Sequence, residues 1–305
     1  MIKTEISLDL LHMGYDVIIV DLDIVFLQNP LPYLTCLDCD MVIQDNRAGY
    51  LNSGFYLIKP TKAGIELQKQ SLEMAQKPGH TNDQDIMNHV ANRLKKTHKL
   101  KIVLLPINQF QPGNIFFSNS TRNFAEDAVC VKCVIVHNNW IIGIRHKIYR
   151  FKEVLMWVVD TDGYYTSTEN KYLTYSYETG VSKEEQKDAL NLAFQIGKLL
   201  NRVVILPKFY CPNRKPSKRC HLLHIFGPGY MNSKPESTYR ESVFLQHQKV
   251  PQSVKTSLSP EINTADIFIK GTIDLAKGIS DGVLVNETLY NFKVLRFKSL
   301  ILKKI

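Results

Sequence analysis

One short segment, residues 17–26, places two acidic side chains inside an otherwise apolar stretch. Val17 to Val20 is rich in β-branched residues and predicts a short strand that is buried on both faces. Asp21 and Asp23 follow directly, and side chains two residues apart on an extended chain project to the same side. Two like charges in apolar surroundings repel each other, so the pattern favours a divalent cation between them. Carboxylate oxygens suit Mn²⁺ or Mg²⁺, and such ions also bind diphosphates.

A simpler interpretation of the same pair stays open at this point. The strand can end at Val20, with Asp21 and Asp23 facing water as acidic residues do at many strand ends. A D-x-D pattern is short and common, so the two interpretations can be distinguished only from the surrounding sequence.

The remainder of the first half alternates predicted helices and strands. The spacing of apolar residues predicts helices over residues 2–10, 61–77 and 83–96. Apolar runs at 102–105 and 134–136 predict further buried strands. This order of elements indicates an α/β fold with short connections.

A change in composition near residues 160–163 predicts a boundary between a first domain, residues 1–160, and a second, residues 161–305. Ser182 and Glu185 form an S-x-x-E capping box that opens a predicted helix between strands at 172–177 and 203–206. A strand-helix-strand unit of this kind predicts that the second domain is a Rossmann-like α/β domain.

Composition excludes several classes of protein. The chain has 305 residues, of which 44% are hydrophobic and 10% aromatic, and this is too apolar for a disordered protein. We find no apolar run of about 18 residues, so no membrane-spanning segment is predicted. A net charge of +9 favours acidic partners, but no nucleic-acid-binding motif accompanies it, even at the densest basic stretch, residues 208–219. We therefore expect no nucleic-acid partner.

Six cysteines indicate either a metal site or an oxidising compartment. Two C-x-x-C pairs could supply four thiolates to a zinc ion, although the second pair lies in a predicted strand. The alternative is a disulfide that closes a basic loop, together with N-glycosylation sequons at Asn119 and Asn286, as expected in a secretory-pathway lumen. The cysteines are Cys36 and Cys39, Cys130 and Cys133, and Cys211 and Cys220.

Residues 15–30 resemble the D-x-D segment of the nucleotide-diphospho-sugar transferase family, glycosyltransferase family 77. Further segments resemble that family in the same order: Asn-Ser-Gly-Phe-Tyr at 52–56, Asp83-Gln84 with Asn88, and His-Asn-Asn-Trp-Ile-Ile-Gly at 137–143 with Lys147. The resemblance covers residues 1 to about 160. It implies a GT-A fold with a mixed, mostly parallel sheet that binds a nucleotide sugar and Mn²⁺ at the carboxyl ends of its strands.

The resemblance also implies a role for each matching residue. Asp21, Asp23 and His137 would bind the metal, and the two aspartates would also hold the donor diphosphate. Asp83 and Gln84 would face sugar or acceptor hydroxyls as catalytic residues. The further donor-binding positions would be Asn52, Ser53 and Gly54, which would form the loop under the donor sugar, and Gly143 and Lys147, which would approach the phosphates.

Each of these residues also has a structural interpretation. Asn52 to Gly54 could form a turn, and Asp83 could be the acidic first turn of its helix. His137 could be a hydrogen-bonded structural histidine, and Lys147 a solvated charge. Trp140 is expected in the core rather than as a sugar platform.

The family begins its GT-A domain well before the D-x-D strand, with strands that bind the nucleoside. Here one helix and one strand precede Asp21, so we expect the sheet to lack its first strands and the base and ribose half of the donor site. We also expect an exposed sheet edge there. Residues 199–207 and 239–245 resemble an extension found in some members, for which we predict no role.

The sequence thus predicts a metal-dependent glycosyltransferase, retaining in stereochemistry, that moves a sugar from a UDP-linked donor to a glycan or glycoprotein hydroxyl. The family implies the Golgi lumen and a type II membrane protein, with an anchor that this chain lacks. The alternative is a non-catalytic glycan-binding or interaction protein that keeps the fold.

Overall fold

A computed structural model describes residues 2–77, 79, 82–97, 100–117, 130–176, 180–211, 219–220, 222–263, 268–270, 273–274, 278–279, 284–285, 289, 291–298 and 300. The sequons at Asn119 and Asn286 and most of the basic stretch 208–219 lie outside these residues. The described chain forms two compact units, one ending at Ile141 and the other beginning at Ile142. The predicted domain boundary near residue 160 stays a prediction. The boundary between the two compact units lies earlier in the chain, between Ile141 and Ile142.

The first unit contains two sheets and a layer of helices. Its helices are α1 (Ile2–His12), α2 (Lys62–Ala75), α3 (Asp83–Thr97) and the short α4 (Gly113–Phe116). Its strands are β1 (Val17–Val20), β2 (Ile24–Phe26), β3 (Met41–Asp45), β4 (Leu51–Ile58), β5 (Ile102–Leu105), β6 (Phe110–Pro112) and β7 (Ile135–His137). The four-stranded sheet has the order β1-β4-β3-β5, and the three-stranded sheet has the order β2-β7-β6.

Alternate side chains of β4 pack into the core on the two faces of the larger sheet. Tyr56 and Ile58 pack with residues of α1, α2 and α3, whereas Phe55 and Leu57 pack with residues of the smaller sheet. Side chains of a strand alternate between faces, so a strand that is apolar at successive positions is buried on both. The larger sheet is therefore the middle layer of a helix-sheet-sheet arrangement.

The strand β1 is an edge strand rather than the fully buried strand that its sequence predicts. Within the described part of the chain it pairs only with β4, antiparallel, and Ile18 and Val20 are 40% and 42% exposed. Strand β5 lies at the opposite edge and is also half-exposed at Val103 and Leu104. The β-branched composition identified both strands correctly, but an apolar run alone does not distinguish a central strand from an edge strand.

The second unit is built around a five-stranded sheet that is parallel throughout, in the order β12-β9-β8-β18-β13. Its helices are α5 (Ile144–Glu153), α6 (Lys183–Leu199), α7 (Leu222–Phe226), α8 (Pro228–Asn232) and α9 (Gln252–Thr256). Its strands are β8 (Tyr172–Tyr175), β9 (Val203–Ile205), β10 (Phe209–Tyr210), β11 (Arg219–Cys220), β12 (Tyr239–Arg240), β13 (Leu258–Ile262), β14 (Phe268–Lys270), β15 (Ile273–Asp274), β16 (Gly278–Ile279), β17 (Leu284–Val285) and β18 (Val294–Phe297).

The predicted capping box is present at the start of α6. The Ser182 hydroxyl accepts from the Glu185 backbone N–H, and the Glu185 carboxylate accepts from that of Ser182. Helix α6 connects the parallel neighbours β8 and β9, which is the predicted strand-helix-strand unit. The mixed α/β class is confirmed: the second unit is parallel, and the first unit mixes antiparallel with parallel pairs.

All six cysteines form disulfides, Cys36–Cys39, Cys130–Cys133 and Cys211–Cys220. The disulfide predicted for the basic loop is confirmed, and the zinc interpretation of the C-x-x-C pairs is wrong because their thiols are paired with each other. Cys130 and Cys133 also lie in a turn before β7 rather than in the predicted strand. Among the described residues, we find no helix with the length and apolar character needed to cross a membrane.

Candidate metal centre

The two aspartates lie in a turn that leads from one sheet to the other. Strand β1 ends at Val20 and β2 begins at Ile24, so the D-x-D segment is not the continuous strand that its sequence predicts. Backbone hydrogen bonds fix both ends of the turn: Asp21 N–H donates to Gly54 O at 2.7 Å, and Asn138 N–H donates to Asp23 O at 2.8 Å. The turn is thereby attached to β4 on one side and to the end of β7 on the other.

This attachment brings both carboxylates to His137. The register of β2 and β7 pairs Ile24 directly with His137. The Nε2 atom of His137 lies 3.3 Å from Asp23 Oδ1 and 3.8 Å from Asp21 Oδ2. One ligand atom from each of the three residues lies within 4.8 Å of the others. Two carboxylates and an imidazole nitrogen form the donor set. The carboxylate oxygens suit either Mn²⁺ or Mg²⁺, whereas the imidazole nitrogen suits Mn²⁺ better than Mg²⁺.

Gln44 determines which nitrogen of His137 faces the carboxylates. The Gln44 Nε2 group donates to the Phe110 carbonyl at 3.1 Å, so its Oε1 atom faces His137 Nδ1 at 2.9 Å. An amide oxygen accepts, so Nδ1 carries a proton and donates. In the neutral ring, Nε2 therefore presents a lone pair towards two carboxylates. Such a convergence of electron pairs is favourable only with a bound cation or with a protonated imidazole.

Gly54 leaves room for this arrangement. A Cβ atom at this position would lie 2.4 Å from His137 Cε1 and 2.6 Å from Asp21 Oδ2. No side chain fits at these distances, so the close approach of β4 to Asp21 and His137 requires glycine.

Lys3 of α1 also belongs to the site, although no sequence pattern indicated it. Its Nζ atom lies 3.2 Å from Asp21 Oδ1, 2.7 Å from Asp83 Oδ2 and 3.2 Å from Ser53 O. Burial lowers the pKa of Lys3, but the hydrogen bond to Asp83 and the charges of Asp21 and Asp83 outweigh it, so the pKa lies above 10.5. Lys3 is therefore charged at neutral pH and links the D-x-D turn to the start of α3.

The segment Asn52-Ser53-Gly54 lies inside β4 and is not the loop that the resemblance implies. Asn52 is 1% exposed; its Oδ1 atom accepts from Gly54 N–H at 2.8 Å, and its Nδ2 donates to Asn46 at 3.1 Å. Ser53 N–H donates to Gln84 Oε1 at 3.3 Å. The structure thus connects Gln84, and through Lys3 also Asp83, to the metal ligands.

Gly143 and Lys147 lie in the second unit and mark the start of α5. Gly143 is the N-cap residue with a φ of 96°, and Lys147 N–H donates to its carbonyl at 3.2 Å. A positive φ of this size is readily adopted by glycine alone, so this residue has a clear conformational role. Their predicted contact with donor phosphates stays a prediction.

The family model of the nucleotide-diphospho-sugar transferases matches residues 1–151. The first half of the chain belongs to this family. The resemblance inferred from the D-x-D segment and its three companion motifs is thereby confirmed. A nucleotide-diphospho-sugar transferase domain accounts for the coincidence of Asp21, Asp23 and His137, which are distant in sequence.

The chain is similar to three named proteins, of which two are curated relatives and one is a solved structure. The chain is 32% identical over 176 residues to UDP-D-xylose:L-fucose alpha-1,3-D-xylosyltransferase 3 of Arabidopsis thaliana, covering 50% of this chain and 45% of that protein. It is 23% identical over 317 residues to arabinosyltransferase XEG113 of the same plant, covering 81% and 48%. The solved apo-form glycosyltransferase GlyE of Streptococcus pneumoniae TIGR4 is similar at a TM-score of 0.33 and 13% identity, covering 69% of this chain and 59% of that one, which is too weak for an argument.

The chain spans about half the length of the curated relatives it matches. What those proteins transfer, and to what, is therefore a statement about them. For this chain, the comparisons establish the family of the first half and nothing finer.

Proposed function

We propose that the chain carries the metal-binding part of a glycosyltransferase that moves a sugar from a nucleotide diphosphate to a hydroxyl of a glycan or glycoprotein. The observation that carries the proposal is the convergence of Asp21, Asp23 and His137 within 4.8 Å in a nucleotide-diphospho-sugar transferase domain. The names of the relatives favour a UDP-linked donor, with xylose transfer to L-fucose as the first substrate pair to examine.

Asp21, Asp23 and His137 would hold the metal. A bound Mn²⁺ or Mg²⁺ supplies Lewis-acid neutralisation of the charge that grows on the leaving diphosphate. Gln44 fixes the His137 tautomer that binds a cation, because its amide accepts from Nδ1 and leaves Nε2 for the metal. Gly54 keeps the strand beside the ligands free of a side chain.

Lys3 would supply a second positive charge for the donor. It contacts both Asp21 and Asp83, so it can hold the helix that carries Asp83 against the metal ligands. Asp83 and Gln84 remain our candidates for contact with sugar hydroxyls, with a carboxylate and an amide as suitable partners. Transfer with retention of anomeric configuration is proposed from the family resemblance.

We further propose that the protein works in the lumen of the secretory pathway, in the Golgi, as part of a type II membrane protein. The three disulfides support an oxidising compartment. Expression with and without a secretion signal, followed by thiol counting, tests this proposal. Free thiols in a secreted, folded chain would contradict it.

Calorimetric titration tests the central proposal. We expect this chain to bind inorganic pyrophosphate and UDP only when Mn²⁺ is present. Asp23→Asn should lower Mn²⁺ affinity by about 10-fold or more, because one charged ligand is lost, while the thermal unfolding midpoint stays near that of the unmodified chain. Asp38→Asn is the matched control, since Asp38 is 84% exposed and pairs with Lys101.

Pyrophosphate isolates the diphosphate half of the donor from the nucleoside half. If neither pyrophosphate nor UDP shows Mn²⁺-dependent binding, the enzyme proposal is rejected and a non-catalytic role of the fold takes its place. Unchanged Mn²⁺ affinity in Asp23→Asn would reject the metal ligands.

A further inference from the structure

Trp140 combines two unfavourable features with one specific hydrogen bond. Its side chain is 62% exposed, whereas the sequence predicts it in the core. Its φ is 60°, a left-handed conformation that is strained for a bulky residue and easy for glycine. Its indole N–H nevertheless donates to Asn46 Oδ1 at 3.0 Å. An exposed aromatic side chain held by a strained backbone and a specific hydrogen bond indicates a function, because such strain clusters at binding sites.

Asn46 connects Trp140 to the metal centre. Asn46 is 3% exposed, and its Oδ1 atom also accepts from Asn52 Nδ2 at 3.1 Å and Asn139 Nδ2 at 3.1 Å. Asn52 in turn holds Gly54, the residue that lies against Asp21 and His137. The indole is thus tied, through one buried amide, to the strand that borders the metal ligands.

The loop that carries Trp140 is also held by contacts with Gly113, the first residue of α4. Asn139 Oδ1 accepts from Gly113 N–H at 2.6 Å. A Cβ atom at Gly113 would lie 2.2 Å from Asn139 O, so the two segments are in close contact. The indole is therefore presented from a fixed backbone, and fixed aromatic groups lose little conformational entropy when a ligand binds.

We propose that Trp140 is the platform on which the acceptor sugar stacks, a role that rests on the glycosyltransferase function proposed above. A sugar ring has a face of C–H bonds that carry partial positive charge, and the face of an indole is negative. The Trp140 side chain is exposed, whereas Asn52, which donates to the same Asn46 oxygen, is buried. An exposed indole is accessible to an exchangeable second substrate, so we assign it to the acceptor sugar and not to the donor.

Intrinsic fluorescence tests this directly, because the chain has two tryptophans. In the full chain carrying Trp157→Phe, Trp140 is the only tryptophan, and excitation at the red edge of the absorption band selects it over the 14 tyrosines. We expect its emission to change saturably on titration with a methyl glycoside of L-fucose, L-arabinose, D-xylose or D-galactose, with Mn²⁺ and UDP present. Glucitol, an open-chain polyol without a ring face, is the control and should give no saturable change.

Substitution at Trp140 adds a readout that a purely structural role would not give. Trp140→Gly should raise the thermal unfolding midpoint, because it relieves the left-handed strain, and should weaken binding of the responding glycoside about 10-fold or more. Trp140→Phe, which keeps an aromatic face, should weaken it only a few-fold. Mn²⁺-dependent UDP binding should stay within about 2-fold in both variants.

The outcomes separate this inference from the function on which it rests. If UDP binds but the glycosides give no saturable response, the proposed role of Trp140 as a stacking platform is overturned, and the transferase proposal stands. A Trp140 response to UDP alone, with none to the glycosides, also overturns it and assigns the indole to the donor. Loss of glycoside binding together with a lowered unfolding midpoint in Trp140→Gly indicates a structural residue and overturns it as well. If neither UDP nor pyrophosphate shows Mn²⁺-dependent binding, the function itself is rejected, and the platform with it.

Discussion

Gln44 and His137 are 93 positions apart in the chain, yet Gln44 Oε1 lies 2.9 Å from His137 Nδ1 and fixes the tautomer of the ring. Strand β3 brings Gln44 there, and the Phe110 carbonyl fixes the orientation of its amide. The imidazole can therefore bind a cation only with Nε2. We therefore expect cation binding at the proposed site to depend on this amide as well as on Asp21, Asp23 and His137.

Gln44→Met should lower Mn²⁺ affinity by about 10- to 100-fold, because the histidine loses the acceptor that fixes its tautomer. It should also lower the free energy of unfolding by about 1–3 kcal/mol, since the buried Phe110 carbonyl loses its donor. Mn²⁺ titration and urea unfolding measure the two effects. Gln44→Glu keeps an acceptor for Nδ1–H and should retain more of the Mn²⁺ affinity; equal losses in the two variants would show that Gln44 acts on folding alone.

Gly54→Ala should disturb the metal ligands without changing any of them. The added methyl group would overlap His137 and the Asp21 carboxylate, so the strand or the ligands have to move. We expect a loss of about 1–3 kcal/mol in unfolding free energy, as for other overpacked sites, and weaker Mn²⁺ binding. Gly229→Ala is the control, because nothing lies within 4 Å of that position; Mn²⁺ affinity equal to that of the control would contradict the close approach.

The sequence identified the residues that converge at the candidate site more readily than the architecture that brings them together. The D-x-D pattern, His137 and the start of α3 at Asp83 could be identified because their residue types and spacing are local signals. The turn between Asp21 and Asp23 was missed, because β1 and β2 belong to different sheets, and sheet membership depends on distant partners.

Lys3, Gln44 and Asn46 were missed for the same physical reason. Lys3 lies in the first turn of α1, where no local pattern marks it, and its two carboxylate partners are distant in sequence. Gln44 directly follows the apolar run from Met41 to Ile43 and precedes Asp45 and Asn46, so nothing local indicates that it is buried. Only the fold shows that its amide meets His137 and the Phe110 carbonyl.

Lys3→Met should affect the metal and the donor in opposite directions. The lysine charge contacts Asp21 at 3.2 Å and so repels a cation bound to the same carboxylate. Its removal should tighten Mn²⁺ binding by about 5-fold, or about 1 kcal/mol for this partly solvated pair. Pyrophosphate binding in the presence of Mn²⁺ should weaken, since an anion loses a positive partner. Lys101→Met, which removes an exposed ion pair with Asp38, should change neither; a parallel change in both affinities for Lys3→Met would contradict the prediction.

His247 of the second unit should make stability depend on pH. Its Nδ1 atom accepts from Lys249 N–H at 3.2 Å, so Nε2 donates to Trp157 O at 3.1 Å and the ring is neutral. Burial lowers the pKa of His247 below 6.5, helped by the charges of Lys249 and Lys255 and opposed by the Trp157 carbonyl. A lowered histidine pKa gives stability that is present above pH 6.5 and is lost as pH falls towards the folded-state value. Urea unfolding at pH 7.5, 6 and 5 should show this loss in the unmodified chain and a smaller one in His247→Phe, whose ring can still stack on Tyr165; parallel pH profiles for the two proteins would refute the assignment.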